Sequence, residues 1–112
     1  MIALQIKLKN VRDAFLSVHP ETYHYERPAR TPAPFAIWKE DTEDMSVEAD
    51  NCKAEQGIVG YLDYFTRMEF DPVVDAFQEC LNSLDGCQYW RLESVDKEDE
   101  TGLIHFRWSW RV

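Results

Sequence analysis

Three cysteines and three histidines are the residues of this sequence best suited to nucleophilic or metal chemistry. Nucleophilic catalysis needs a nucleophile, a base and a group that orients the base. Cys52 or Cys87 could act with His24 or His105, but no sequence motif places a cysteine beside a histidine. His24 and His105 alternate with aromatic residues, which favours partly exposed strand positions over a role as catalytic base. The sequence therefore predicts that the protein is not an enzyme and uses no cofactor.

Metal-binding patterns are equally weak. No Cys-x-x-Cys pair occurs, and the spacing of seven between Cys80 and Cys87 does not fit a zinc knuckle. The acidic runs 41–44 and 96–100 contain carboxylates of the kind that bind calcium. The second run lacks the ligand order of a calcium loop, and its glycine comes one residue late. We predict no metal site, and we interpret the second run as a solvated hairpin tip.

The charge balance limits the class of partner. The chain has 21 acidic and 12 basic residues and a formal net charge of −9, which disfavours binding to nucleic acid or to anionic membranes. No apolar run approaches the roughly 20 residues of a membrane span, and the N-terminus does not resemble a signal peptide. We expect synthesis in the cytoplasm, free thiols, and either a solvated acidic surface or partners with basic faces.

Hydrophobic spacing predicts two helices. Apolar residues recur at steps of four and three over 4–18, and Pro20 prevents continuation of that helix. A second helix starts at Asp71-Pro72, where an aspartate cap precedes proline at the first helical position. Gly86 offers a left-handed stop for this helix.

The remaining apolar segments are typical of strands. The segment 104–112 alternates strictly, so one face is apolar and the other polar. The apolar face carries Ile104, Phe106, Trp108, Trp110 and Val112, and the polar face carries His105, Arg107, Ser109 and Arg111. Further strands are predicted at 22–26, 35–38, 57–68 and 89–95. The order helix, three strands, helix, two strands predicts one α+β domain over 1–112, with a mainly antiparallel sheet and both helices on one face.

Two segments bear on association. The strand at 57–68 is apolar on both faces, so it is expected to be central, with its second face covered by another layer or another subunit. The segment from about 40 to 56 is rich in acids and is expected to be a long acidic loop or a loosely held hairpin arm. Simple mobility and ordering against a neighbouring subunit are both open for this segment.

Several of these segments, in this order, resemble small tail proteins of long-tailed bacteriophages and prophages. The resemblance is carried by the succession Tyr23-His24-Tyr25-Glu26, Pro34-Phe35-Ala36-Ile37-Trp38-Lys39-Glu40-Asp41 and Ala49-Asp50-Asn51, and by Gly60-Tyr61-Leu62-Asp63-Tyr64-Phe65-Thr66-Arg67 leading to Asp71-Pro72. The pattern extends over most of the chain.

This resemblance implies a structural virion protein of the tail-terminator, tail-completion or head–tail joining kind. Such a protein would form a ring, commonly hexameric, that binds the tail tube protein, stops tube growth and presents a new face to the head connector. It would be made in the host cytoplasm and be located in the virion. The expected interface residues are Asp41, Asp44, Met45, Val47, Glu48, Asp50, Tyr61, Phe65, Glu98 and Asp99.

Two other classes remain open on the sequence alone. A small-ligand-binding or regulatory α+β module would show an apolar pocket with converging polar groups. An enzyme with a cysteine nucleophile would show an activated thiol.

Overall fold

The computed structural model describes residues 1–44 and 55–112. These residues form two helices and five strands, in the order that the sequence predicts. The elements are α1 (Leu4–Val18), β1 (Thr22–His24), β2 (Phe35–Asp44), β3 (Gly57–Thr66), α2 (Pro72–Ser83), β4 (Tyr89–Lys97) and β5 (Ile104–Arg111). No helix in the described part of the chain is long and apolar enough to cross a bilayer.

The strands form one sheet in the order β1-β2-β3-β5-β4. The short strand β1 runs parallel to β2, and the other neighbouring pairs are antiparallel. The predicted α+β class and the mainly antiparallel sheet are therefore confirmed. Strand β3 is central, as its two apolar faces predicted.

The core lies between the sheet and both helices. Leu8, Val11 and Phe15 of α1 and Phe77 and Leu81 of α2 are buried against the same face of the sheet. Trp38, Leu62, Tyr64, Trp108 and Trp110 occupy that face. The ring of Phe15 meets Trp38 and Trp110 edge to face, with both pairs of ring centroids 6.1 Å apart. The predicted burial of both β5 tryptophans is confirmed, because their side chains are fully enclosed.

Helix α2 starts at the predicted cap. The Asp71 side chain accepts a hydrogen bond of 2.9 Å from the backbone N–H of Val73, and Pro72 is the first helical residue. The predicted left-handed stop at Gly86 is displaced. The helix ends at Ser83, followed by Leu84 in extended conformation, and Gly86 adopts its positive φ of 78° in the subsequent turn.

The segment expected to be an acidic loop or a hairpin arm begins within strand β2. Strand β2 continues through Asp44, so residues 40–44 are strand and do not belong to a loop. The pairing of Glu43 with Ile58 and of Asp44 with Gly57 holds these acidic residues in the sheet. Asp41 lies at the bulge between Glu40 and Thr42. Residues 45–54 of the expected loop lie outside the described residues.

The two edges of the sheet differ in length. Strand β1 has three residues, whereas β4 has nine, and its ladder with β5 shifts register between Leu92 and Ser94. Most of β4 is exposed. Its hairpin with β5 contributes to an elongated molecule with principal extents of 51 × 25 × 22 Å.

Candidate subunit interface

We call the face of the sheet opposite the described helices the open face. Strand alternation places on it the side chains that neighbour the core positions of each strand. Strands β2 and β3 contribute mainly aromatic and aliphatic residues, and β5 contributes polar and basic ones. The members on these three strands are Phe35, Ile37, Lys39, Val59, Tyr61, Asp63, Phe65, His105, Arg107, Ser109 and Arg111.

A row of stacked planar groups crosses the open face. The guanidinium of Arg27 lies 4.1 Å from the ring centroid of Phe35. Phe35 stacks on Phe65 at 4.8 Å, and Phe65 stacks on His105 at 4.3 Å. Facing positions in the strand ladders hold these three rings side by side. A cation at one end and an imidazole at the other give this aromatic row polar ends.

A second row lies beside the first. The guanidinium of Arg107 lies 4.0 Å from the ring centroid of Tyr61, and the Lys39 ammonium lies 6.0 Å from it on the neighbouring strand. Asp63 shares a 2.6 Å hydrogen bond with the His105 ring and lies 3.9 Å from the Arg107 guanidinium. Planar rings, aliphatic stems and guanidinium groups on one flat surface are the chemistry of protein–protein interfaces.

The structure places the described members of the expected interface at four separate locations. Tyr61 and Phe65 are four residues apart on β3, and both side chains lie on the open face. Asp44 lies at the end of β2, where its carboxylate is 3.0 Å from the Arg111 guanidinium. Glu98 and Asp99 are exposed at the tip of the β4–β5 hairpin. Asp41 is exposed on the β2 bulge, and Met45, Val47, Glu48 and Asp50 lie outside the described residues.

The outer surface of the helices is a second candidate surface. Ile6 and Leu16 are 54% and 39% exposed on α1, although a helix surface turned to solvent is usually polar. Asp75 and Glu79 are exposed one turn apart on α2, a helix whose sequence has no lysine or arginine. Like charges at this spacing are mildly destabilising in an isolated helix, so a nearby cation would relieve them.

A buried hydrogen-bond network fixes α2 to the central strand. The carboxylate of Asp71 accepts hydrogen bonds from the hydroxyls of Tyr64, at 2.7 Å, and Thr66, at 2.8 Å, in addition to its bond as helix cap. Burial alone would raise the pKa of Asp71, but the bonds from Tyr64, Val73 and Thr66 outweigh it and lower this pKa. Burial and the bond to Asp71 raise the pKa of Tyr64. This network therefore stabilises the fold and stays in one charge state near neutral pH.

The described cysteines do not have the surroundings of activated nucleophiles. Burial raises the pKa of the Cys80 thiol, which donates to the backbone carbonyl of Ala14. Burial also raises the pKa of Cys87. A nucleophilic cysteine needs a lowered pKa, so these two thiols are not suited to catalysis. Cys52 lies outside the described residues.

A cleft of about 500 Å³ lies beside the start of α1, the start of β3 and the end of β5. Two polar groups on its wall already have partners within the chain. The Lys7 ammonium donates to the backbone carbonyl of Gln56, and Arg111 pairs with Asp44. Met1 and Ile2, which also line it, are largely exposed. This arrangement does not resemble an enclosed apolar pocket with converging free polar groups.

Sequence reasoning did not identify Arg27 and Phe35 as part of the candidate interface. The stacking of Phe35 on Phe65 depends on the register between β2 and β3. Arg27 reaches the row from the proline-rich connection, and no local pattern predicts that contact. The alternation of β5 did place His105 and Arg107 on a common face.

No protein-family model matches this sequence, and no curated protein matches it. Among solved structures, the chain is similar to a chain in a structure described as the virion of native gene transfer agent (GTA) particle. The two chains have 14% sequence identity and a TM-score of 0.55, and the similarity covers 97% of this chain and 92% of that chain. The likeness extends over nearly the whole of both chains and establishes a shared α+β fold.

Proposed function

We propose that this chain is a structural subunit of a phage-like virion. In this proposal it forms a ring, as a hexamer, on the end of the tail tube and joins the tail to the head. The observation that carries the proposal is the central strand β3, whose side chains are apolar on both faces while the described helices cover only one. A sheet with this composition is stabilised when a second layer covers its other face, and a neighbouring subunit can supply that layer.

The likeness to a GTA virion chain supports the same class of role. It spans nearly the full length of both chains, so it does not rest on a common local motif. A ring requires a head-to-tail contact between two different surfaces of the subunit. The ring closes when the rotation that relates neighbouring subunits is a whole-number fraction of a full turn. The open face and the outer surface of the helices provide two different surfaces.

The activity proposed is binding. The ring would occupy the free surface of the last tube layer, which prevents further addition of tube subunits, and its other side would contact the head connector. Acidic side chains would also keep DNA from adhering as it passes, because like charges repel the phosphate backbone. The exposed Glu98 and Asp99 at the hairpin tip are suited to this role.

Deletion of the gene from the phage or prophage that carries it tests this proposal. We expect particles in which heads and tails remain separate or tails have irregular lengths, as seen by negative-stain electron microscopy. Wild-type protein supplied from a plasmid should restore joined particles, and mass spectrometry should detect it in purified virions. Normal, infectious particles from the deletion strain would contradict the proposed role.

A further inference from the structure

We infer that two copies of this chain associate head to tail, with the outer surface of the helices of one copy packed on the open face of the next. This inference provides the subunit contact for the ring of the proposed function. The contact is tested on the isolated protein, so its failure and the failure of the virion role are separate results.

Apolar composition gives the first support. Ile6 and Leu16 are exposed on the side of α1 away from its core residues Leu8, Val11 and Phe15. The open face presents the partly exposed Tyr61 and Phe65. Packing aliphatic side chains of one copy on aromatic rings of another would remove both from water, which favours association. A helix layer on a sheet is also a standard way to cover an apolar sheet face.

Charge gives independent support, because the open face and the α2 part of the helix surface carry groups of opposite sign. Arg27, Lys39 and Arg107 lie over aromatic rings on the open face. The outer surface of α2 presents Asp75 and Glu79. Guanidinium groups that are already held against aromatic rings can donate to carboxylates from a second copy at a smaller cost of ordering.

The lateral order of the elements matches as well. Helix α1 lies towards β2, because its Phe15 contacts Trp38. Helix α2 lies towards β5 and β4, because Gln78 accepts a 3.1 Å hydrogen bond from Trp108 and Asn82 accepts one of 2.7 Å from Trp90. A second copy packed with the same lateral order of elements would place Ile6 and Leu16 of its α1 over the aromatic strands. Its acidic helix would lie over β5, which carries Arg107.

The available area fits a subunit contact. Four long strands spaced about 4.8 Å apart, with about eight residues each rising about 3.3 Å, give a face of roughly 500 Å² in projection. Side-chain relief increases the accessible area towards the roughly 800 Å² per partner of a standard interface. A contact of this size and mixed polarity is expected to be of moderate strength and to weaken as salt screens the charged pairs.

Two single variants test the contact. Ile6→Glu places a charge on the helix surface, and Tyr61→Glu places a carboxylate on the open face, where Arg107 and Lys39 of the same chain can neutralise it. Each variant should raise the dissociation constant for self-association at least about tenfold. Sedimentation velocity over a concentration series measures this. Met68→Lys, at a comparably exposed apolar residue outside both surfaces, is the matched control and should associate like wild type.

A mixture of the two variants distinguishes head-to-tail association from a symmetric dimer. Each variant keeps one intact surface, so the mixture should form a dimer of one copy of each and no larger species. Circular dichroism should show that both variants stay folded. Wild-type protein that remains monomeric at every concentration and on chemical cross-linking would overturn the inference. Unchanged association of both variants would also overturn it.

Discussion

The contact between Gly60 and Trp110 permits a quantitative prediction. The two residues face each other across β3 and β5, fifty positions apart in the sequence. A Cβ atom added at Gly60 would lie 2.2 Å and 2.4 Å from two carbons of the Trp110 ring and 2.5 Å from the backbone carbonyl oxygen of Lys39. These separations are far below van der Waals contact, which for carbon atoms is about 3.5–4.0 Å. Glycine is therefore required here by space, since the tryptophan ring fills the position of a side chain.

Gly60→Ala should lower the free energy of unfolding by about 3 kcal/mol, the upper part of the usual range for overpacking. The upper part applies because the Lys39 carbonyl belongs to the backbone and cannot turn away. Since 1 kcal/mol shifts the melting temperature of a domain of this size by roughly 4 °C, the expected decrease is about 12 °C. Urea unfolding followed by tryptophan fluorescence, together with thermal melting, measures both quantities.

Gly57→Ala is the matched control in the same strand. The atoms nearest to its added Cβ belong to the end of the Arg111 side chain, at 2.7 Å, and that flexible group can move more easily than backbone. We expect Gly57→Ala to lower the free energy of unfolding by less than about 1 kcal/mol, as for most substitutions away from a rigid packing contact. A cost at Gly60 no greater than that at Gly57 would refute the steric argument.

Trp110→Leu completes a double-mutant cycle. This change removes the ring carbons that crowd Gly60, so Gly60→Ala should cost at least about 1 kcal/mol less in the Trp110→Leu background than in wild type. The carbonyl contact with Lys39 remains, so the cost should not vanish. Strict additivity of the two substitutions would show that the ring is not the obstacle.

Three further predictions concern other parts of the fold. Tyr64→Phe removes a hydrogen bond to a carboxylate and should cost about 1.5–3 kcal/mol near neutral pH. Because the folded-state pKa of Asp71 is lowered, its ionised network contributes stability above the ordinary aspartate pKa. The difference in free energy of unfolding between variant and wild type should therefore shrink as pH falls through the folded-state pKa of Asp71. Urea titrations over a pH series measure this difference, and a value constant with pH would contradict the expectation. Phe70 has a positive φ of 58° and is 92% exposed, so Phe70→Gly should raise stability by about 1 kcal/mol in thermal melting, and a loss would contradict the strain argument. Cys80 and Cys87 should react with iodoacetamide more slowly than free cysteine at neutral pH, measured by peptide mass spectrometry, because burial raises both pKa values.

Local sequence signals predicted the helices and the last strand well. The bounds of α1 agree with the apolar stripe over 4–18, because Pro20 ends the segment and the stripe has one uninterrupted period. Helix α2 begins at the predicted cap because Asp71 and Pro72 each satisfy a local requirement of a helix start. Strict alternation in β5 likewise determines which side chains face the helices, and two of these, Trp108 and Trp110, are fully buried.

Features that depend on distant partners were not predictable in the same way. The acidic end of β2 has poor intrinsic strand propensity, and its strand conformation comes from pairing with β3. The complementarity of Gly60 and Trp110 depends on a register that no local pattern encodes. Tyr61 and Phe65 were expected at the interface and share the open face, whereas Asp44 and Glu98 lie at other places. Their relative positions depend on how far β2 and the β4–β5 hairpin extend.

The register shift within β4 also affects how copies of this protein can meet. An exposed outer strand of nine residues is a template on which further strands could add without limit, which leads to aggregation. The irregularity between Leu92 and Ser94 interrupts the even spacing of backbone donors and acceptors that such growth requires. The charged residue Glu93 lies at this irregularity, and Arg91 lies two residues before it. Uncontrolled lateral polymerisation through this edge is thereby disfavoured, which is compatible with the proposed contact through the broad surfaces of the molecule.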